Sequence, residues 1–275
     1  MVVATQERLE PTSLDWALIL GSSSGFGAAA SVALAEEAGL NICGVHLHRP
    51  SPGDSSDEAR QRIEAAGCEY LPLSLNAANP DKRQEAIEKL KVSLHGSGFR
   101  VVLHSLAFGT LKPYIAEKPE DAISEENMDM TLKVMAHTLV YWTQGLLAEG
   151  LIGRGTRIYA MTSSGSTRVA PNYGAVSAAK AALESHVRQL AYELAPFGIT
   201  VNSVRAGVTD TPALRRIPGN EKLIESALAR NPFGRLTTPE DVARFIALMA
   251  KKGPAADWLT GNVLGIDGGE EITGL

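Results

Sequence analysis

The chain has 275 residues, 44% of them hydrophobic and 21% charged, with a formal net charge of −5. It is long enough for one large α/β core, and its acidity leaves no basic field for a nucleic-acid backbone, although a local pocket for one phosphate stays compatible with it. The two cysteines, Cys43 and Cys68, lie in apolar runs that read as buried strands, without CxxC spacing or clustered histidines, which argues against both a disulfide framework and a metal site.

In chain order, residues 1–14 read as an N-terminal extension. The opening MVVATQERLEPTSLD carries three acidic residues and no apolar signal core, and no later stretch approaches eighteen uninterrupted apolar residues. A reducing cytoplasm is the expected compartment. Strand-like runs then recur at 16–20 (WALIL), 41–48 (NICGVHLH), 69–75 (EYLPLSL) and 100–106 (RVVLHSL). The series closes with 156–162 (TRIYAMT), 198–204 (GITVNSV) and 262–267 (NVLGID). Seven nearly continuous apolar strands alternating with helical stretches predict a parallel sheet covered on both faces, a doubly wound Rossmann-type α/β fold in a single domain spanning 1–275. Two long apolar helices, one over ENMDMTLKVMAHTLVYWTQGLLAEGLI and one from Asn172, are expected to stack in the core. Residues 212–230 (PALRRIPGNEKLIESALAR) interrupt the alternation and are expected to form a mobile lid. Thr238, Pro239 and Asp241 supply an N-cap, a first-turn proline and an early acid for the helix PEDVARFIALMAKK, which Gly253-Pro254 ends.

Directly after the first strand comes GSSSGFGAAASVALAEEAG, with Gly21, Gly25 and Gly27 in G-x3-G-x-G spacing. Glycines at a strand-to-helix turn let the backbone approach a pyrophosphate while the helix directs its first amides at the charge. The end of the second strand discriminates between dinucleotides. An acid there would accept the adenosine ribose hydroxyls, whereas this chain offers HLHRPSPGD, with His48 and Arg49 and no acid before Asp54. NADPH is therefore expected over NADH.

The glycine loop, the strand-end hydroxyls of YAMTSSG, Tyr173 and Lys180 on the next helix, and the segments VNSVRAGVTDTPAL and GNVLGIDGG together resemble the short-chain dehydrogenase/reductase superfamily, from about Trp16 to Gly269. Within it the likeness is nearest to enoyl-acyl carrier protein reductases, on the Y-x6-K spacing of Tyr173 and Lys180, on RVAPNY, and on LHSLAFG, which stands where carbonyl reductases carry Asn-Asn-Ala-Gly. The ordinary short-chain glycine loop points to the branch of those enzymes that commonly uses NADPH. The resemblance implies that a homotetramer reduces enoyl thioesters carried by acyl carrier protein or coenzyme A in fatty acid synthesis. It implies catalytic roles for Tyr173 and Lys180, with a hydroxyl from Ser163 or, close behind it, Thr162. The expected dinucleotide contacts are Gly21, Ser23, Ser24, Gly25, Phe26, Gly27, His48, Arg49, Asn76, Ala77, Ser105, Leu106, Ala107, Lys180, Gly207, Thr209 and Thr211, with no metal. Thr211 doubles as a helix cap before Pro212. Tyr159 reads as a core strand residue. Lys133 occupies the place where carbonyl reductases carry a relay asparagine.

The spacing has a physical reading. Residues four apart on a helix are separated by about 40° and roughly 6 Å, whereas residues seven apart return to nearly the same angle about 10.5 Å away. Lys180 can then serve the nicotinamide ribose while Tyr173 reaches the thioester oxygen, two bonds farther from the carbon that accepts hydride than a ketone oxygen is. A neighbouring ammonium is expected to favour the phenolate. A carbonyl reductase or hydroxysteroid dehydrogenase is the alternative on this fold, and a cofactor-sensing protein without turnover is a second.

Overall fold

The computed structural model describes residues 10–47, 55–251 and 253–273. Within them a seven-stranded sheet runs in the order β3-β2-β1-β4-β5-β6-β7. Its strands are β1 Ser13–Leu20, β2 Asn41–His46, β3 Tyr70–Ser74, β4 Ser97–His104, β5 Arg157–Thr162, β6 Thr200–Ala206 and β7 Val263–Ile266, and each adjacent pair is parallel. The chain starts at β1, winds outward to β3, then crosses to β4 and winds the other way. The reversal between β1 and β4 opens a crevice at the carboxyl ends of the strands.

The helices are α1 Gly25–Ala38, α2 Ser55–Ala65, α3 Pro80–Ser93, α4 Glu125–Leu132, α5 Thr138–Ala148, α6 Gly174–Leu194, α7 Asn220–Arg230, α8 Pro239–Ala250 and α9 Pro254–Asp257. Neighbouring residues of a strand feed opposite cores, as the period of two requires. Trp16, Leu18 and Leu20 of β1 pack with Ile87, Trp142 and Leu183 from α3, α5 and α6. Ala17 and Ile19 pack with Leu34, Ile63 and Ile246 from α1, α2 and α8. Apolar residues on both strand faces are why the strands read as unbroken runs. Tyr159, 1% exposed, belongs to the second core, as expected from the sequence.

Local chemistry sets the helix ends. Asn79 accepts the Lys82 amide at 3.0 Å ahead of Pro80. Thr238 and Asp241 form a reciprocal capping box, the Asp241 amide donating to Thr238 Oγ1 at 3.2 Å and the Thr238 amide to Asp241 Oδ2 at 2.9 Å. At the far end of α8 the buried Arg157 guanidinium donates to the Met249 and Lys251 carbonyls and pairs with Asp257 at 2.8 Å. α8 therefore stops at Ala250, short of the expected KK.

Several boundaries differ from the sequence expectation. β1 begins at Ser13, inside the expected extension, because Ser13 and Leu14 pair with Ser97 and Gly98. β4 ends at His104, leaving Ser105 and Leu106 in the loop beyond it, and β6 extends to Ala206. Cys68 lies in the turn before β3 rather than in a strand, with its thiol donating to the Ala35 carbonyl at 3.7 Å. The long apolar helix is divided by a π-helical turn at Lys133–His137. That turn adds a residue to the buried stripe, so Met135 and Ala136 both point inward between α4 and α5. The following long helix starts at Gly174, not Asn172. Asn172 has φ +60, a left-handed conformation that ends the PN turn before the helix opens.

Candidate active site

Two cavities meet at the carboxyl rim of the sheet. The first is a groove of about 570 Å³ over the β1–β4 reversal. Gly21, Ser23, Ser24, Gly25, Phe26, Asn76, Ala77, Ser105, Leu106, Ala107, Lys180 and Thr211 of the expected dinucleotide set line it. Gly27 lies behind the loop, while Gly207 and Thr209 line the second cavity. His48 and Arg49 lie outside the described residues, and with them the direct reading of cofactor preference.

The glycines fit a group that must come close to backbone. Gly21 has φ +97, and a Cβ there would lie 2.6 Å from the Ser105 carbonyl oxygen. A Cβ on Gly27 would collide with the Gly21 carbonyl, so side chains at either position would spread the β1–α1 turn away from its neighbours. Gly25 has φ +54 and opens α1, whose N-terminus faces the groove with positive partial charge. These features suit the pyrophosphate of a dinucleotide.

The second cavity, about 390 Å³, is walled by the loop after β4 (Phe108, Gly109, Leu111), the loop before α6 (residues 163–170) and the segment from Gly207 to Arg230. Met135 of the π turn and Val176 of α6 close its inner end. The two cavities share Phe26, Ala107, Phe108, Met135, Thr162, Ser163, Tyr173, Thr211, Ala213 and Arg216.

Tyr173 is the N-cap of α6, with φ −94 and ψ 1, and its ring packs over Gly165. The seven-residue interval thus runs from the cap into the second turn rather than along a helix face throughout. A Cβ on Gly165 would lie 2.5 Å from the Tyr173 ring and 3.2 Å from Ser163 Oγ, so only glycine lets the ring and that hydroxyl close on the same point. Ser163 Oγ is buried without a partner of regular hydrogen-bond geometry among the described residues. Burial pushes the Tyr173 phenol above its ordinary value, with the nearby Ser163 hydroxyl pulling it down. The expected push toward phenolate by Lys180 is not what the structure shows.

Lys180 is 6% exposed and donates from Nζ to the Met161 carbonyl at 2.6 Å. Burial lowers its pKa to about 8, opposed by Glu184. Glu184 Oε1 accepts the Thr162 hydroxyl at 2.6 Å, which commits Thr162 and leaves Ser163 as the hydroxyl beside Tyr173. Sequence reasoning passed over Glu184, although a carboxylate four residues after Lys180 on one helix is a visible signal. It also passed over His104, fully buried at the end of β4, where Nε2 meets Thr138 Oγ1 at 2.7 Å. Burial, and then the Lys180 charge, depresses that imidazole to about 3 and keeps it neutral. Lys133 is exposed on the π turn, which presents Val134 and Met135 to the groove instead. Thr209 Oγ1 donates to the Gly207 carbonyl at 2.9 Å, and Thr211 Oγ1 accepts the Leu214 amide at 3.2 Å, the capping role expected alongside a cofactor role.

The sheet order and glycine loop are those of short-chain dehydrogenase/reductases, and the family match makes this chain an oxidoreductase of that superfamily. Residues 21–271 match the profile of the family described as enoyl-(acyl carrier protein) reductase, and the chain belongs to that family. It is 31% identical to the enoyl-[acyl-carrier-protein] reductase (NADH) of Aquifex aeolicus over 196 residues, covering 70% of each chain. A solved enoyl-[acyl-carrier-protein] reductase (NADH) of that organism has the same fold, with a TM-score of 0.80 over 97% of this chain and 99% of the other at 24% identity. The 3-oxoacyl-[acyl-carrier-protein] reductase of Thermotoga maritima is 29% identical over 252 residues, 92% of this chain and 96% of that protein. A short-chain dehydrogenase of Burkholderia cenocepacia solved in complex with NADP has a TM-score of 0.74 at 27% identity, covering 96% and 100% of the two chains.

Proposed function

We propose that the protein reduces the C2=C3 double bond of enoyl thioesters in fatty acid synthesis, with NADPH as reductant. One observation carries the reading: a mostly apolar cavity opens onto the dinucleotide groove at a single protonated phenol, that of Tyr173, with the Ser163 hydroxyl beside it. An acyl chain needs the first feature and a developing enolate oxygen needs the second.

A bound reduced nicotinamide would supply hydride to the β-carbon, and a proton from water taken up at the α-carbon would complete the reduction. Tyr173, kept protonated by burial, donates a hydrogen bond to the thioester oxygen as charge gathers there, and Ser163 supports the phenol. Lys180 holds the nicotinamide ribose from its place on the Met161 carbonyl. Gly21, Ser23, Ser24, Gly25 and Phe26 would hold the pyrophosphate, with Gly27 keeping the turn tight behind them. Asn76, Ala77, Ser105, Leu106 and Ala107 line the rest of the dinucleotide's path, and Gly207, Thr209 and Thr211 take the carboxamide. Residues 212–230, a 3-10 turn at Leu214–Arg216 followed by α7, act as the lid. Support for NADPH comes from Arg49 and the absence of an acid before Asp54, together with the NADP in the Burkholderia structure. The enoyl reductase relatives, named as NADH enzymes, lean the other way. We extend the proposal to a cytoplasmic homotetramer taking thioesters of acyl carrier protein or coenzyme A. Among the described residues no helix is long and apolar enough to cross a membrane.

The second reading, a 3-oxoacyl thioester reductase, is favoured by the Thermotoga relative, which matches nearly the whole chain. Initial rates with crotonyl and acetoacetyl thioesters under identical NADPH separate the two. The enoyl substrate is expected to react much faster, and a preference for the ketone would reverse the assignment.

A further inference from the structure

Two walls of the second cavity come from connections rather than strands: the loop before α6, carrying Arg168, and the segment from Gly207 to the end of α7, carrying Arg230. Both arginines line the cavity, and both are gripped by consecutive acids just beyond β7. Glu270 is 6% exposed. Its Oε1 lies 3.3 Å from Arg230 Nη2, and its Oε2 accepts the Val208 amide at 2.9 Å. One buried carboxylate therefore joins the turn after β6 to the last residue of α7. Glu271 Oε1 lies 3.2 Å from Arg168 Nη2, and the Glu271 carbonyl accepts from the same guanidinium at 3.4 Å. Thr273 completes the attachment by donating its hydroxyl to the Arg230 carbonyl at 2.8 Å.

The approach is close enough to need special backbone. A Cβ on Gly207 would lie 2.8 Å from Glu270 Oε2, and the chain reverses into the two acids through Gly268 and Gly269 at φ +60 and +83. A carboxylate withdrawn from water in this way is tolerated only when both oxygens are engaged. Here the engagements point to different elements.

We propose that Glu270 and Glu271 are positioning residues that hold the two facing walls of the acyl cavity at their working separation, and thereby set the size of acyl group admitted. Glu270 holds the lid side and Glu271 the loop that leads to Tyr173. The inference rests on reading this cavity as the acyl site.

Glu270→Gln leaves an oxygen for the Val208 amide and removes the charge facing Arg230. Glu271→Gln does the same opposite Arg168 while altering a more exposed group, and it carries the test alone if the first variant does not fold. Hydrogen exchange of the free protein is read first, because it needs neither substrate nor cofactor. Amides of 220–230 are expected to exchange roughly tenfold faster in Glu270→Gln, and those of 166–173 in Glu271→Gln, with the core strands unchanged. Kinetics follow. The ratio of KM for dodecenoyl to KM for crotonyl thioester is expected to shift at least about fivefold, with crotonyl kcat within about twofold of wild type. Restoring the pair by the exchange Glu271→Arg with Arg168→Glu is expected to restore the ratio. Unchanged exchange in both segments, or an equal fall of kcat on both chain lengths, overturns the clamp. A wild type that reduces no enoyl thioester, with the expected faster exchange in the two variants, leaves the clamp standing and removes the functional reading instead.

Discussion

The two cavities that meet at Tyr173 are made of different material. The first groove is built largely on the carboxyl ends of β1 to β5 and the turn into α1, where backbone is fixed by the sheet and glycines remove side chains. The second cavity is built from three connections and α7, with Phe, Leu, Met and Val side chains prominent among its walls. The first arrangement suits a partner of constant shape, and the second can be altered one side chain at a time. The same division places the general part of the chemistry on the sheet and the selective part on the loops.

That division can be tested by its extremes. Tyr173→Phe removes one hydroxyl at the seam, keeps the ring over Gly165, and is expected to lower turnover by about 10² to 10³-fold with dinucleotide affinity nearly unchanged, as measured by steady-state kinetics and calorimetry. Full activity in this variant would remove the phenol from the chemistry. Lys180→Ala is expected to damage both quantities, since the lysine belongs to the groove. Gly25→Val forces a β-branched residue into a left-handed conformation at the start of α1 and is expected to weaken dinucleotide binding by at least about 100-fold while circular dichroism stays native. Unaltered affinity in a folded variant would contradict the phosphate-cradle assignment.

Smaller effects sharpen the picture. Arg49→Ala is expected to raise the NADPH KM about tenfold and leave NADH kinetics in place, the loss of one charge-assisted contact. Equal losses with both cofactors would make Arg49 a support for the loop. The smallest effect is a pH dependence. With Lys180 at about 8, the ammonium is lost as pH rises from 7 to 9, and dinucleotide affinity is expected to decline over that interval in wild type but not in Lys180→Ala. Stability of the free protein moves the other way. Between about 8 and the ordinary lysine value of 10.5 the unfolded chain binds more protons than the folded one, so this group's contribution to stability rises with pH. A titration of melting temperature against pH for both proteins reads the difference.

How legible each part was in the sequence follows from how local its cause is. All seven strands were visible because a parallel strand buried on both faces is apolar throughout, and the glycine loop because its spacing is contiguous. Strand ends were less visible. Ser13 and Leu14 are held by partners at Ser97 and Gly98, more than eighty positions away, and no local pattern announces that pairing. In the site, Glu184 was readable from its distance to Lys180. Glu270 was not, since its partners Val208 and Arg230 lie 62 and 40 residues earlier, and GGEE reads as a polar tail until the fold brings it back. The π turn left a faint trace: Ala136 is buried although a helical stripe through Thr131, Met135, Thr138 and Leu139 would leave it off the face.

Asn172, at φ +60, stands one position before Tyr173. Most side chains pay roughly 1 to 2 kcal/mol for that backbone, and asparagine and glycine pay least. The aim of the phenol therefore depends on a residue that need touch nothing in the reaction. Evolutionary or laboratory drift through the loop before α6 meets, at this one position, a very short alphabet. A β-branched substitution here would swing the ring off Gly165 without altering a single residue of either cavity wall, and a screen scored on lining residues alone would miss it.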